Sequence, residues 1–208
     1  MKRMEVEEIS KNSFVGIWKL ENDNLLKKII EFFNLNHENH KQGTLALGKV
    51  DKSKKDLLEM SINPKQIKEN NINIFKEYIN NLVDCYNDYQ EQWGFIKNWK
   101  RIYIGPFKIE KHLISGHHLE SNCDRQNINS SHKILSWITF LNDIDDDEGN
   151  LVFNYLNVAI KPKKGMTLIF PPDWTHLHQQ NIMKNNEKFT IRGSFHFPDT
   201  LDDEEQKK

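Results

Sequence analysis

Over residues 188–197 the side chains alternate in character, and few folds can house a strand of that kind. Lys188, Thr190, Arg192 and Ser194 share one face, and Phe189, Ile191, Gly193 and Phe195 share the other. Such a strand either turns its polar face to water or lines a polar cavity inside a barrel, with its aromatic face under a layer of helices. The alternation by itself leans toward the first arrangement, and the histidines nearby lean toward the second. Upstream, Gly165 suits a tight turn and residues 166–170 form a short apolar run. Pro171 and Pro172 then stop that run before a segment carrying His176 and His178. The pattern is a strand, a corner and a second strand.

The rest of the chain divides into a helical half and a strand half. Residues 14–20 read as a first strand. Asn22, Asp23 or Asn24 can cap a helix whose apolar positions Leu25, Leu26, Ile29, Ile30 and Phe33 fall on one stripe. Residues 34–60 are polar, with Gly43 and Gly48 bracketing a strand-like stretch at 44–47, and are read as a flap-like excursion. Pro64 opens a second helical region. There Phe75, Tyr78, Ile79, Leu82, Val83, Tyr86 and Trp93 keep a helical period, as a core-facing stripe does. After Gly94 the period changes to two, and residues 101–104, 107–114, 134–141, 151–160, 166–170 and 189–197 are the expected strands. Helices followed by a series of short strands imply an α+β fold, a jelly roll (double-stranded β-helix) supported by N-terminal helices at about 20–95, with its core at about 100–198. The charged tail at 199–208 is expected to fray.

At 208 residues the chain is most simply one domain, large enough for a core without metal or disulfide staples. A net charge of −1 gives no electrostatic reason to expect nucleic acid or a membrane surface. Cys85 and Cys123 form no CxxC pair and read as reduced thiols. No apolar run reaches the length of a membrane span, and the first eight residues lack a signal-peptide core, so a soluble, cytoplasmic protein is expected.

Histidines crowd the strand half: His112, His117, His118, His132, His176, His178 and His196. His118 and Glu120 are one residue apart, so a strand projects both from one face while Leu119 points away. One further histidine from a neighbouring strand would complete the two imidazoles and one carboxylate of a non-haem Fe(II) site, with coordination positions left open.

The segment from about 109 to 197 resembles the Fe(II)- and 2-oxoglutarate-dependent dioxygenases, in particular the prolyl-4-hydroxylase-like branch of bacteria and phages. The resemblance lies in an ordered set of motifs: Gly116-His117-His118-Leu119-Glu120-Ser121, the strand ending Phe140-Leu141-Asn142, then Lys161-Pro162-Lys163-Lys164-Gly165 with Phe170-Pro171, and finally His178 with Lys188 ten residues on. It implies His118, Glu120 and His178 as metal ligands and catalytic centre. Lys188 would pair with the far carboxylate of 2-oxoglutarate, with Arg192 a weaker candidate on the same face. Fe(II), the co-substrate 2-oxoglutarate and ascorbate as an auxiliary are the implied cofactors, and the cytoplasm of a bacterium or phage-infected host is the implied setting. The reaction implied is hydroxylation of a peptidyl proline or another protein-linked or small substrate, yielding succinate and carbon dioxide. His176 has the parity of His178, but the step to Lys188 favours His178; His176 becomes a cavity-wall residue, and His117 points away. The chain departs from the family in Glu148-Gly149-Asn150-Leu151 for Gly-Gly-Glu-Thr, His112 for a co-substrate tyrosine, Ser194 for a tryptophan, and Glu120 for the commoner aspartate.

Two other readings compete. One is a non-catalytic jelly-roll interaction protein, and the other a metal-dependent cupin-like enzyme that does not use 2-oxoglutarate; Lys188 argues against both. Residues 121–131 and 37–60 are the expected substrate loops.

Overall fold

The computed structural model describes residues 1–5, 9–45, 48–70 and 72–198. The second half of the strand-like stretch at 44–47 and the charged tail therefore lie outside the described residues. Three α-helices are described: α1 (Asp23–Leu35), α2 (Pro64–Glu69) and α3 (Asn73–Gln92). The early strands are β1 (Lys2–Arg3), β2 (Gly16–Lys19), β3 (Lys41–Gln42), β4 (Lys55–Asp56) and β5 (Leu58–Ile62). After α3 come β6 (Tyr103–Ile104), β7 (Phe107–His112), β8 (His117–Asn122), β9 (Lys133–Phe140), β10 (Leu151–Phe153) and β11 (Val158–Ile160). The last are β12 (Met166–Phe170), β13 (His178–Gln180) and β14 (Lys188–His196).

The helices start where their side chains can satisfy the free N–H groups of a first turn. Asn22 accepts from Leu25 N at 3.0 Å, and Asn63 accepts from Lys65 N at 3.0 Å ahead of Pro64, whose fixed φ suits a first turn. In α3 the buried stripe is Phe75, Tyr78, Leu82, Cys85, Tyr86 and Tyr89. Val83, expected on that stripe, is exposed, and the buried face runs through Cys85 and Tyr89 instead. The expected strand at 151–160 is a hairpin, β10 to β11, whose turn ends on Asn157 in the left-handed region at φ 53°.

Two antiparallel sheets face each other. The larger runs β1-β2-β12-β9-β14-β7-β5-β3, with β6 on the end of β14, and the smaller runs β11-β10-β13-β8-β4. From β7 onward the main strands alternate between sheets, with β7, β9, β12 and β14 in the larger and β8, the β10–β11 hairpin and β13 in the smaller. That alternation is the winding of a jelly roll, and it is the α+β double-stranded β-helix expected from the sequence. The excursion at 34–60 is built into the barrel: β5 extends the larger sheet beside β7, while β4 pairs with β8 in the smaller. Among the described residues no helix is long and apolar enough to cross a membrane.

β14 lies between β9 and β7, with Arg192 opposite Ile138 on one side and Lys108 on the other. Its aromatic face lies under the helices, where Phe75, Tyr78, Phe107 and Trp137 meet at ring-centroid distances of 5.7–5.8 Å. Gly193 makes that layer possible, since a Cβ there would come within 2.6 Å of the Trp137 ring and 2.7 Å of Phe107 Cβ. Tyr78 reaches through to bond Thr139 Oγ1 at 2.8 Å, and Thr139 bonds Thr167 at 2.8 Å, so the helix is also tied to the sheet by buried polar contacts. The polar face of β14 turns into the barrel, and Lys188, Thr190 and Ser194 are buried. Of the two arrangements the alternation allowed, the protein adopts the polar cavity.

Candidate functional site

The polar faces of β7, β8, β13 and β14 enclose the barrel interior. Even-numbered residues of each strand point inward: Glu110 and His112 from β7, His118 and Asn122 from β8, His178 and Gln180 from β13, and Lys188 and Arg192 from β14. A cleft of about 530 Å³ opens onto this interior, lined by Lys55, Glu110, His118, Glu120, Asn122, Asp124 and Arg192 among others. Residues 121–131 supply much of one wall, and Thr44 and Lys55 bring the excursion to the other, so both expected substrate loops border the cleft.

Lys188 is 0% exposed and lies opposite His112 in the strand register. Its Nζ donates to the Gly149 carbonyl at 2.6 Å. Burial pulls the ammonium down to about 7 from its ordinary 10.5, against the opposing pull of Glu110 and Glu148. Gly149 has φ +60°, and a Cβ there would meet the Met183 sulfur and Lys188 Nζ, so this glycine keeps the contact open. Both ring nitrogens of His112 and both polar atoms of the Gln180 amide are buried without a protein partner. The orphaned His112 ring opposite a buried ammonium suits a polar, anionic guest. The chemistry at this floor fits the far carboxylate of a 2-oxo dicarboxylic acid.

His178 is 2% exposed, and its Nδ1 lies 3.0 Å from the His176 carbonyl, which leaves Nε2 as an acceptor. Burial, then Arg192, lower it to about 4, with Asp124 opposing, so the ring is neutral. His118 is lowered to about 3, again by burial first and then by Lys55 and Arg192. Its Nε2 lies 2.9 Å from the Asn122 amide nitrogen. The register sets Asn122 opposite His178, and His118 opposite Gln180. His176 is held away by Ser13 O at 2.6 Å, and His117 bonds Ser115 O and Ser53 O.

The structure does not bring the expected carboxylate to the imidazoles. The pairing of β4 with β8 sets Lys54 beside Glu120, whose carboxylate takes Lys54 Nζ at 2.7 Å on the rim of the cleft, with the side chain 36% exposed. The carboxylate beside His178 belongs to Asp124, which is held by Ser136 and by Arg192 Nη2 at 3.1 and 3.4 Å from its two oxygens. Burial works to raise this carboxyl, but Arg192, His178, Lys133 and Ser136 together hold it at about 2. The same Nη2 lies 3.3 Å from His178 Nε2. Two imidazoles and a carboxylate are the right donors for iron. Their arrangement does not fit one, because Arg192 Nη2 faces the lone pair of His178 and holds Asp124, while the Asn122 amide nitrogen stands against His118 Nε2. Among the described residues no group of three His, Cys, Asp or Glu side chains is disposed to hold a metal ion.

Sequence reasoning passed over Asn122 and Asp124, although they repeat the one-residue spacing and inward parity of His118 and Glu120 four residues later. It also missed Glu110, which shares the parity of His112 on β7. Glu110 is 1% exposed and meets Lys55 Nζ at 3.5 Å; Lys55 in turn meets Glu59 at 3.4 Å. Burial works to raise the Glu110 carboxyl, yet Lys55, Arg192, His112 and His118 together lower it.

No family model matches the chain, and no curated protein matches it in sequence. Solved structures do. The viral collagen prolyl hydroxylase of Paramecium Bursaria Chlorella virus-1, in its 2-oxoglutarate complex, superposes with a TM-score of 0.66 at 12% identity, over 89% of this chain and 97% of that one. A Pseudomonas putida prolyl-4-hydroxylase gives 0.66 at 12% identity, over 89% and 94%. A Trichoplax adhaerens prolyl hydroxylase, bound to a peptide fragment of the hypoxia inducible factor oxygen degradation domain, gives 0.67 at 15% identity, over 88% and 84%. The chain therefore has the fold of the prolyl-4-hydroxylase-like 2-oxoglutarate oxygenases, as its motifs imply.

Proposed function

We propose that this chain is a 2-oxoglutarate-dependent oxygenase of the prolyl-hydroxylase-like kind, acting on a peptide-linked substrate. One observation carries the reading: Lys188 is fully buried ten residues after His178, opposite a His112 whose ring nitrogens have no protein partner. Lys188 would take the far carboxylate of the co-substrate, and the unpartnered groups would complete its hydrogen bonds. Burial would keep water from the bound acid, while the cleft between the excursion and residues 121–131 would receive the substrate. The peptide bound by the Trichoplax adhaerens protein supports a peptide as substrate class. In this class iron supplies the oxidising chemistry. The residues that would have to hold it, His118 and His178 with Glu120 as the motif implies or Asp124 beside His178, are not disposed to do so while Arg192 stands on Asp124 and His178.

Calorimetric titration with 2-oxoglutarate tests the reading. The protein is expected to bind one equivalent, and Lys188→Ala to abolish binding; unchanged affinity in the variant removes Lys188 from the site. A second reading, a binding module without turnover, is favoured by Arg192 lying between Asp124 and His178. Binding of 2-oxoglutarate with no succinate formed under any substrate would select it.

A further inference from the structure

We propose that the Arg192 guanidinium is the resident cation of this site: it fills the position between Asp124 and His178, and a divalent metal ion must compete with it for both. The proposal rests on reading the barrel as the oxygenase site, though not on turnover. Arg192 Nη2 lies 3.1 Å from Asp124 Oδ1 and 3.3 Å from His178 Nε2. A bound metal would need the same carboxylate and the same imidazole lone pair.

Both partners are fixed in place from behind. Ser136 holds the carboxylate of Asp124, and the His176 carbonyl holds the Nδ1 side of His178, which aims Nε2 at the guanidinium. Arg192 stands on the central strand β14 and lines the cleft, whereas His178 does not, so the cleft ends on the guanidinium with the imidazole behind it. The charges facing Arg192 are Asp124 and then Glu110 and Glu59, so the guanidinium is held by acids on more than one strand. A divalent ion placed beside it meets a like charge in a partly dehydrated pocket. The same position requires no metal to neutralise Asp124, because Arg192 already does so.

If Arg192 moves off, His178, Asp124 and the neighbouring His118 are a donor set for a divalent first-row metal. The test is Mn(II) titration without 2-oxoglutarate, followed by the electron paramagnetic resonance of free Mn(II). It uses the full chain, Arg192→Ala and Arg192→Gln; the glutamine variant keeps an N–H donor for Asp124 and guards against misfolding. Both variants are expected to bind Mn(II) tighter than the parent by about tenfold or more, within the range that removing an adjacent unit charge gives between bulk water and a protein surface. Adding Asp124→Asn to Arg192→Ala is expected to erase the gain, and adding Glu120→Gln to leave it. Equal affinity in parent and both Arg192 variants, or no binding in any of them, overturns the proposal. So does a gain that survives Asp124→Asn and is lost with Glu120→Gln. Failure of the oxygenase reading is distinguishable, because it appears as absent succinate in a protein whose Mn(II) affinity still rises on removal of Arg192.

Discussion

Replacing Lys188 by methionine removes a cation from the barrel and keeps an unbranched side chain of similar length. Burial pulls the Lys188 ammonium from 10.5 to about 7. At ~1.4 kcal/mol per pH unit, keeping it charged at pH 7 costs on the order of 4 kcal/mol relative to the unfolded chain. The variant also loses the 2.6 Å bond to the Gly149 carbonyl. Leaving that oxygen unpaired costs roughly 2 kcal/mol, so the net expectation is a gain of about 2 kcal/mol at pH 7. The sign of the pH dependence follows from the depressed folded value. Between about 7 and 10.5 the unfolded chain binds the extra proton, so the parent gains stability as pH rises through that window; its deficit closes near about pH 9 and reverses toward pH 10. Urea unfolding followed by tryptophan fluorescence, at pH 7 and near pH 10, measures both terms. A saturating 2-oxoglutarate concentration, about a hundred times the dissociation constant, should stabilise the parent by ~2.7 kcal/mol and leave Lys188→Met unmoved. A variant less stable than the parent at both pH values, or one stabilised by 2-oxoglutarate as much as the parent, refutes the reasoning.

Three further outcomes are expected. Glu110→Gln leaves Lys55 with Glu59 as its remaining close acid and should destabilise the protein by about 3 kcal/mol at neutral pH. Because the folded Glu110 carboxyl lies below its ordinary 4.5, its contribution is present above that value and lost as pH falls, so acid titration of stability should show the gap to the parent narrowing below about pH 4.5. Tyr78→Phe removes the buried bond to Thr139 and should lower the urea midpoint by the equivalent of ~1 kcal/mol; no change would mean that this helix-to-sheet tie contributes nothing. Gly193→Ala places a methyl between Trp137 and Phe107 and should cost about 1–3 kcal/mol, read as a fall in the thermal midpoint; a neutral substitution would contradict the packing described.

The fold was legible because its signals are local. The alternation at 188–197, the helical stripe of α3 and the turn residues around Gly165 each follow from a single segment, and together they lead to the jelly roll. The hairpin at 151–160 was read as one strand because Asn157, not glycine, takes the left-handed position at its turn. The inward burial of Lys188 was equally legible, since it lies on a strand whose faces the sequence separates. The rim that carries the imidazoles and carboxylates was not. Both His118-Leu119-Glu120 and Asn122-Cys123-Asp124 place alternate residues on the inward face, and only the register of β8 on β13 decides which of them meets His178. The pairing of Lys54 with Glu120 depends on β4 joining β8 across more than sixty residues, as the 66-residue separation of that ion pair shows. Arg192 was visible as an inward cation, but its choice of Asp124 over a ligand carboxylate is a tertiary contact.

The measurement closest to the central claim is succinate formed from 2-oxoglutarate by protein supplied anaerobically with Fe(II) and ascorbate and then exposed to oxygen, with and without proline-containing peptides. Succinate that rises with peptide, and that disappears in Lys188→Met, is the expected result. No succinate under any condition, together with no binding of 2-oxoglutarate, contradicts it.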